Sequence, residues 1–376
     1  MKKIQMVDLQ SQYKQLKDKI DNSVINVIED ATFINGPSVK SFQKNLEDYL
    51  DVKHVIPCAN GTDALQIAMM GLNLKPGDEV ITADFTFAST VETIALLNLT
   101  PVLVDVDLET FNIDCNEIKK AITSKTKAIV PVHLFGQPAN MEEIMEIANQ
   151  NNLFVIEDNA QAIGSEYQFT SGNKIKAGTI GDIGTTSFFP SKNLGCYGDG
   201  GALFTNNDDL AHTIRGIVNH GMYKRYHHDV VGVNSRLDSI QASVLDIKLK
   251  FLDNYNSSRN KFAKLYSENL KGNPNIILPS FKEEEKFHVF HQYTIRVLNK
   301  KRDDLANYLS EFNIPFGIYY PIPLHRQKAY IDSRYNEEDF SNTNLLTKQV
   351  ISLPMHSELE LDQISFICEK INTFLK

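Results

Sequence analysis

The apolar positions change period along the chain, and those changes outline its elements. Tyr13, Leu16, Ile20, Val24 and Ile28 recur at helical spacing, and Ile34-Asn35-Gly36-Pro37 separates them from a second expected helix over 38–49. Val55-Ile56-Pro57-Cys58 leads into Ala59-Asn60-Gly61-Thr62, after which Leu65, Ala68, Met69 and Leu72 share one face, so a helix starts near Thr62. From Glu79 short apolar runs alternate with helical stretches: strands over 79–82, 101–106, 128–132 and 154–158, helices over 89–97 and 141–150. Such alternation predicts an α/β fold, a mostly parallel sheet with helices on both faces and sites at the carboxyl ends of its strands.

Further on, Thr185-Thr186-Ser187-Phe188-Phe189 and Ala202-Leu203-Phe204-Thr205 read as two more strands, joined by a lysine and a glycine-rich turn. A polar, aromatic loop over 219–228 precedes a long helix with Ile240, Val244, Ile247 and Phe251 on one face, continuing with breaks towards Leu270. That helix links a large domain, 1–250, to a smaller C-terminal α+β domain, 251–376. In the latter, Tyr293, Ile295 and Val297 alternate as a strand, 302–312 is helical, and a final helix closes the chain. Phe316-Gly317-Ile318-Tyr319-Tyr320-Pro321-Ile322-Pro323-Leu324-His325 reads as an extended loop held by its prolines, suited to a sugar or a ring, or equally to an edge.

The charge balance narrows the partners. A formal charge of -9 argues against a nucleic-acid or anionic-membrane partner. Cys58, Cys115, Cys196 and Cys368 are far apart with no CxxC pair, which fits reduced thiols in the cytoplasm. The amino end is too short and polar for a signal peptide, and no apolar run approaches the roughly 20 residues that span a bilayer. His227 and His228 suggest a metal, but no third ligand lies at a recognisable spacing, so no metal is expected.

Four places carry candidate chemistry, each with a plainer alternative. Gly61 and Thr62 at a helix start offer free N–H groups to an anion, or form an ordinary cap. Phe87 stacks on a planar ring or belongs to the core. Asp158 ends an apolar strand, where a carboxylate needs a cationic partner; a protonated ring nitrogen of a cofactor, a helix cap and a structural ion pair all answer that need. Lys192 lies 34 positions later among small and polar residues, as a Schiff-base former or a solvated lysine.

The order of these signals resembles the fold-type-I enzymes dependent on pyridoxal phosphate (PLP). More closely, the chain resembles sugar-nucleotide aminotransferases of the DegT/StrS family. The resemblance rests on Asn60-Gly61-Thr62-Asp63-Ala64-Leu65, Asp158-Asn159-Ala160-Gln161-Ala162, Ser187-Phe188-Phe189-Pro190-Ser191-Lys192, Gly198-Asp199-Gly200-Gly201 and Gly232-Val233-Asn234-Ser235-Arg236-Leu237-Asp238, and runs from Asp8 to His356. It implies that Lys192 carries the cofactor as an imine and serves as acid and base, that Asp158 pairs with the pyridinium nitrogen, that Gln161 reaches the phenolic oxygen and that Phe87 stacks on the ring. Gly61, Thr62 and Ser187 would hold the phosphate, joined by Asn234 from a second subunit of a homodimer. Glutamate would give its amine, leave as 2-oxoglutarate, and a nucleotide-linked ketosugar would take the amine by way of pyridoxamine phosphate.

A narrower likeness, over 188–201, Arg225-Tyr226-His227-His228 and Tyr320-Pro321-Ile322-Pro323-Leu324, is to aminotransferases of surface-polysaccharide (O-antigen) pathways. Those act at C3 of UDP-2-acetamido-3-keto-glucuronate, where Arg236 would serve the uronate carboxylate, with Tyr319, Tyr320 and His325 as the other substrate residues. Tyr319 stands where that subgroup has a histidine, and His325 where it has an asparagine, which leaves a neutral deoxy-ketosugar on dTDP open. Lys192 argues against the family's dehydratases, which have a histidine there. A PLP-binding regulator without catalysis is the reading from another class.

Overall fold

The computed structural model describes residues 2–280 and 287–376; positions 281–286 of the expected C-terminal domain lie outside the described residues. Helices α1 (Leu9–Glu29) and α2 (Pro37–Leu50) come first. There follow β1 (His54–Cys58), α3 (Gly61–Gly71), β2 (Glu79–Ala83), α4 (Ser89–Leu96), β3 (Thr100–Val104), α5 (Cys115–Ala121), β4 (Thr126–Val130), α6 (Met141–Asn151) and β5 (Phe154–Asp158). The hairpin β6 (Glu166–Gln168) and β7 (Lys174–Lys176) precedes β8 (Ile183–Ser187), β9 (Gly201–Thr205), α7 (Asp208–Ile217) and a second hairpin, β10 (Met222–Lys224) with β11 (His227–His228). The chain ends with α8 (Ser239–Leu249), α9 (Leu252–Leu270), β12 (Ile276–Ile277), β13 (Tyr293–Val297), α10 (Arg302–Glu311), α11 (Ser341–Gln349), β14 (Val350–Leu353) and α12 (Leu361–Phe374).

Seven strands form the main sheet in the order β1-β9-β8-β5-β4-β2-β3. Strands β8, β5, β4, β2 and β3 run parallel, while β9 is antiparallel to both β8 and β1. This is the mostly parallel mixed sheet of the fold-type-I transferases. Its strands lie between helices, so both faces are apolar: Ile81, Ile129 and Val155 join one core, Val80, Ala128 and Ile156 the other. A smaller antiparallel sheet, β12-β13-β14, packs with α9, α10 and α12 around Tyr266, Tyr293, Ile295, Leu309, Ile351 and Ile367.

Helix α1 departs from its expected face. Leu16, Ile20 and Val27 are buried, Val24 is only partly covered, and Ile28 is 52% exposed. Eleven residues make about three full turns, which keeps Val27 under Leu16, whereas each four-residue step drifts by about 40° and carries Ile28 off the buried stripe. The long expected helix breaks at Lys250 and Phe251 into α8 and α9. Helix α5, the two small hairpins and α11 lie in stretches whose short apolar pattern predicted no element.

Candidate active site

The carboxyl ends of the parallel strands and the loops beyond them bring most of the candidate residues together. Helix α3 begins at Gly61, with the Asn60 side chain accepting from the Asp63 N–H at 2.8 Å. A Cβ on Gly61 would lie 2.7 Å from the Ser187 Cβ, so only glycine lets the end of β8 approach the start of the helix this closely. The Thr62 hydroxyl meets the Ser89 hydroxyl at 2.9 Å, where α4 also begins. Two helix starts, one glycine and three hydroxyls thus converge, an arrangement that favours a phosphate.

Asp158, at the end of β5, is buried. Its Oδ2 accepts from the Thr90 hydroxyl at 2.9 Å and its Oδ1 from the Ala160 N–H at 3.1 Å. Burial pushes the carboxyl above its ordinary range, while those two donors and the positive charge of Lys192 pull it back. Burial lowers the Lys192 ammonium to about 8, and Asp158 opposes that shift. The acid and the amine therefore feel one another across the strand ends, an acid-base pair at the mouth of a sheet.

Gln161 bridges the next layer. Its Oε1 accepts from the Phe135 N–H at 2.7 Å, and its Nε2 donates to the Tyr320 hydroxyl at 3.2 Å. The Tyr320 ring lies 5.9 Å from that of Phe85 and 6.3 Å from that of Phe87, which is 58% exposed and so presents its ring to the open side. Beneath Asp158, the Glu157 carboxylate accepts from Gly178, Ile180 and Gly181 N–H groups at 2.8, 2.6 and 2.6 Å, and from His133 Nε2 at 2.9 Å. Because His133 Nδ1 accepts from the Ala139 N–H, the ring proton sits on Nε2 and donates to Glu157.

The remaining candidates stand apart. Asn234 is exposed and pairs through its backbone with Asn219, whose side chain accepts from Arg236 at 3.4 Å. Tyr319 packs against Gly317. His325 is buried, stacked on Phe340 at 4.3 Å; its Nδ1 pairs with Asp84 Oδ2 at 2.7 Å, and its N–H donates to Asp84 Oδ1 at 2.7 Å. This holds the aromatic loop to the end of β2 rather than presenting the imidazole to a ligand. His227 and His228 lie exposed in the hairpin β10–β11. Sequence reasoning missed Thr90, which donates to Asp158, and His133, which donates to Glu157, because neither stands in a motif that marked it.

A buried acid, a neighbouring amine, an anion-binding helix start and an exposed ring fit a flat, phosphate-bearing aldehyde with a basic ring nitrogen. Such a constellation on this sheet defines a fold-type-I transferase. The chain belongs to the DegT/DnrJ/EryC1/StrS aminotransferase family, whose model matches residues 14–372. It is 44% identical to a pleiotropic regulatory protein of Geobacillus stearothermophilus, with 99% of each chain covered. It is 43% identical to the UDP-2-acetamido-2-deoxy-3-oxo-D-glucuronate aminotransferase of Pseudomonas aeruginosa, covering 97% of this chain and 98% of the relative. Among solved structures, NtdA from Bacillus subtilis with bound cofactor PMP superposes with a TM-score of 0.90 at 31% identity, covering 99% of this chain and 86% of that one.

Proposed function

We propose that this aminotransferase uses PLP to move the amino group of glutamate to C3 of UDP-2-acetamido-2-deoxy-3-keto-glucuronate, for a surface polysaccharide. In this reading residues 1–250 carry the cofactor and 251–376 form the smaller domain. The enzyme works in the cytoplasm as a homodimer with shared sites. The observation that carries the reading is the buried Asp158 and the Lys192 amine acting on one another's charge, with the end of β8 at Ser187 packed against Gly61 at the helix start.

The residues take these parts. Gly61 and Thr62 N–H groups, with the Ser187 hydroxyl, hold the phosphate. Asp158 faces the ring nitrogen and keeps it protonated, Gln161 Nε2 turns to the phenolic oxygen, and Phe87 covers the ring. When bound, the cofactor supplies an electron sink for the bond being broken at the amino acid's Cα. Lys192 Nζ, held to about 8, has far more free amine near neutral pH than an ordinary lysine, and carries the proton away from Cα and back. Arg236 is the bidentate partner for a uronate carboxylate, and Asn234 reaches the phosphate of a second subunit.

Tyr319 and His325 differ from the expected substrate residues, and His325 is spent on Asp84, which favours a neutral dTDP-3-keto-6-deoxyhexose as the second acceptor. The regulatory name of the Geobacillus relative makes a non-catalytic PLP protein the third reading. Transfer of 15N from labelled glutamate to a panel of UDP and dTDP 3-ketosugars separates them: amination of the uronate is expected, and a PLP-loaded protein that aminates none would establish the regulator. Lys192→Ala is expected to abolish both transfer and the absorbance band of the lysine–cofactor imine, and full activity in that variant would refute the assignment.

A further inference from the structure

The residue after the lysine is buried in a polar network that no step above uses. Asn193 Nδ2 donates to Asn256 Oδ1 at 2.8 Å and to the Val289 carbonyl at 3.0 Å. Two acceptors on that side fix which way the amide points, so Asn193 Oδ1 accepts from His291 Nδ1, 3.3 Å away, and the His291 proton is assigned to Nδ1. Asn256 is oriented in turn, its Nδ2 donating to the Ile163 carbonyl at 3.1 Å.

The far side of this network is equally held. One face of α9 grips the segment 288–291: Asn260 Nδ2 donates to the His288 carbonyl at 3.3 Å, and Arg259 donates to the Phe290 and His291 carbonyls at 3.1 and 3.2 Å and to Met355 at 3.0 Å. The same segment crosses Gly136, whose added Cβ would come within 2.9 Å of the His291 nitrogen, and the Val289 N–H donates to the Gly136 carbonyl at 2.9 Å. Next to Gly136 is Phe135, whose N–H holds Gln161. The lysine loop and Gln161 are thus referenced to one strap from the C-terminal region, although β5 and β8 carry them separately.

We propose that Asn193 is a positioning residue for the Lys192 amine, acting by fastening the lysine loop to Asn256 and to the strap at Val289 and His291. This rests on the reading of Lys192 as the amine that carries the cofactor. Burial alone does not require an asparagine here; three directed contacts to three different partners, one of them a backbone carbonyl, do set the loop's position. Neutral His291 completes the seat without a second positive charge: burial drives its imidazole far below its ordinary range, and Lys192 and Arg259 add to that.

The test compares full-length Asn193→Ala, Asn256→Ala and the double variant with the native enzyme. Three quantities are read: melting temperature, kcat and KM for amine transfer, and the rate at which acetic anhydride labels Lys192 in cofactor-free protein, followed by peptide mass spectrometry. Misplacing a reacting group by a fraction of an ångström costs about 10- to 100-fold, so Asn193→Ala should lose about that much kcat with KM within about twofold. Lys192 labelling should change at least threefold, by the order of one lost hydrogen bond. Asn256→Ala should show a smaller loss of the same kind, and the double variant no more than Asn193→Ala, because both act through one contact. Native kcat and native labelling in Asn193→Ala overturn the proposal, as does a kcat loss matching the unfolded fraction. If Asn193→Ala does not fold, Asn256→Ala decides by the same readouts. Activity surviving in Lys192→Ala would instead sink the underlying reading of the lysine; loss there with full activity in Asn193→Ala would sink the positioning role alone.

Discussion

Asp158 is the residue whose environment states most about the chemistry. Burial raises its pKa, and its two neutral hydrogen-bond donors and the Lys192 ammonium offset that only in part, so in the cofactor-free protein it sits above its ordinary value. A carboxyl raised in the folded state binds more protons than in the unfolded chain once the pH exceeds about 4, so its contribution to stability is lost as pH rises through the folded value. Asp158→Asn keeps the shape and removes the charge. Its cofactor-free form should be at least as stable as the native protein at pH 7, with the gap closing as pH falls towards 4, as denaturant titrations at several pH values would reveal. Turnover should nonetheless fall by about 100-fold or more, since an amide cannot keep a ring nitrogen protonated. Native turnover in this variant would remove Asp158 from the proposed role.

Among the elements, the start of α3 is what the proposed phosphate site depends on. The residue types there, Asn60 as cap and Gly61-Thr62 after it, already read as a helix start that admits an anion. What the pattern did not contain was the partner: β8 brings Ser187 within contact of Gly61 although the two are far apart in the chain. Gly61→Ala would press its Cβ against Ser187 and push the N–H groups off their target. Cofactor affinity should drop by about tenfold or more, the size of one charge-assisted hydrogen bond, measured by absorbance titration of the cofactor-free protein. Unchanged affinity would place the phosphate elsewhere.

For the whole molecule, the exposed position of Asn234, apart from the other proposed phosphate residues of its own chain, leads to a complementation test of the proposed homodimer. Mixed and reassociated, inactive Lys192→Ala and inactive Asn234→Ala chains should form about half heterodimers, each with one native site of two. About a quarter of native activity should return per site, and none should return if Asn234 serves its own chain. Among the described residues no helix is long and apolar enough to cross a membrane.

Much of this arrangement was legible before any coordinates. Apolar runs that suit a strand covered on both faces marked β2, β4 and β5, and glycine next to a capping residue marked α3, because those signals are local. Asp158 and Lys192 stood out because an acid and an amine at strand ends are costly to bury without a purpose. By contrast, no periodicity could tell that His325 would be claimed by Asp84, or that Asn193 would face Val289 and His291. Those contacts join stretches tens to hundreds of residues apart, and packing alone chooses them. The sequence by itself determined the class of fold and the chemistry available at the strand ends; the tertiary structure decided which side chains share a seat, since hydrogen-bond partners in a buried network are settled by where distant backbones come to rest.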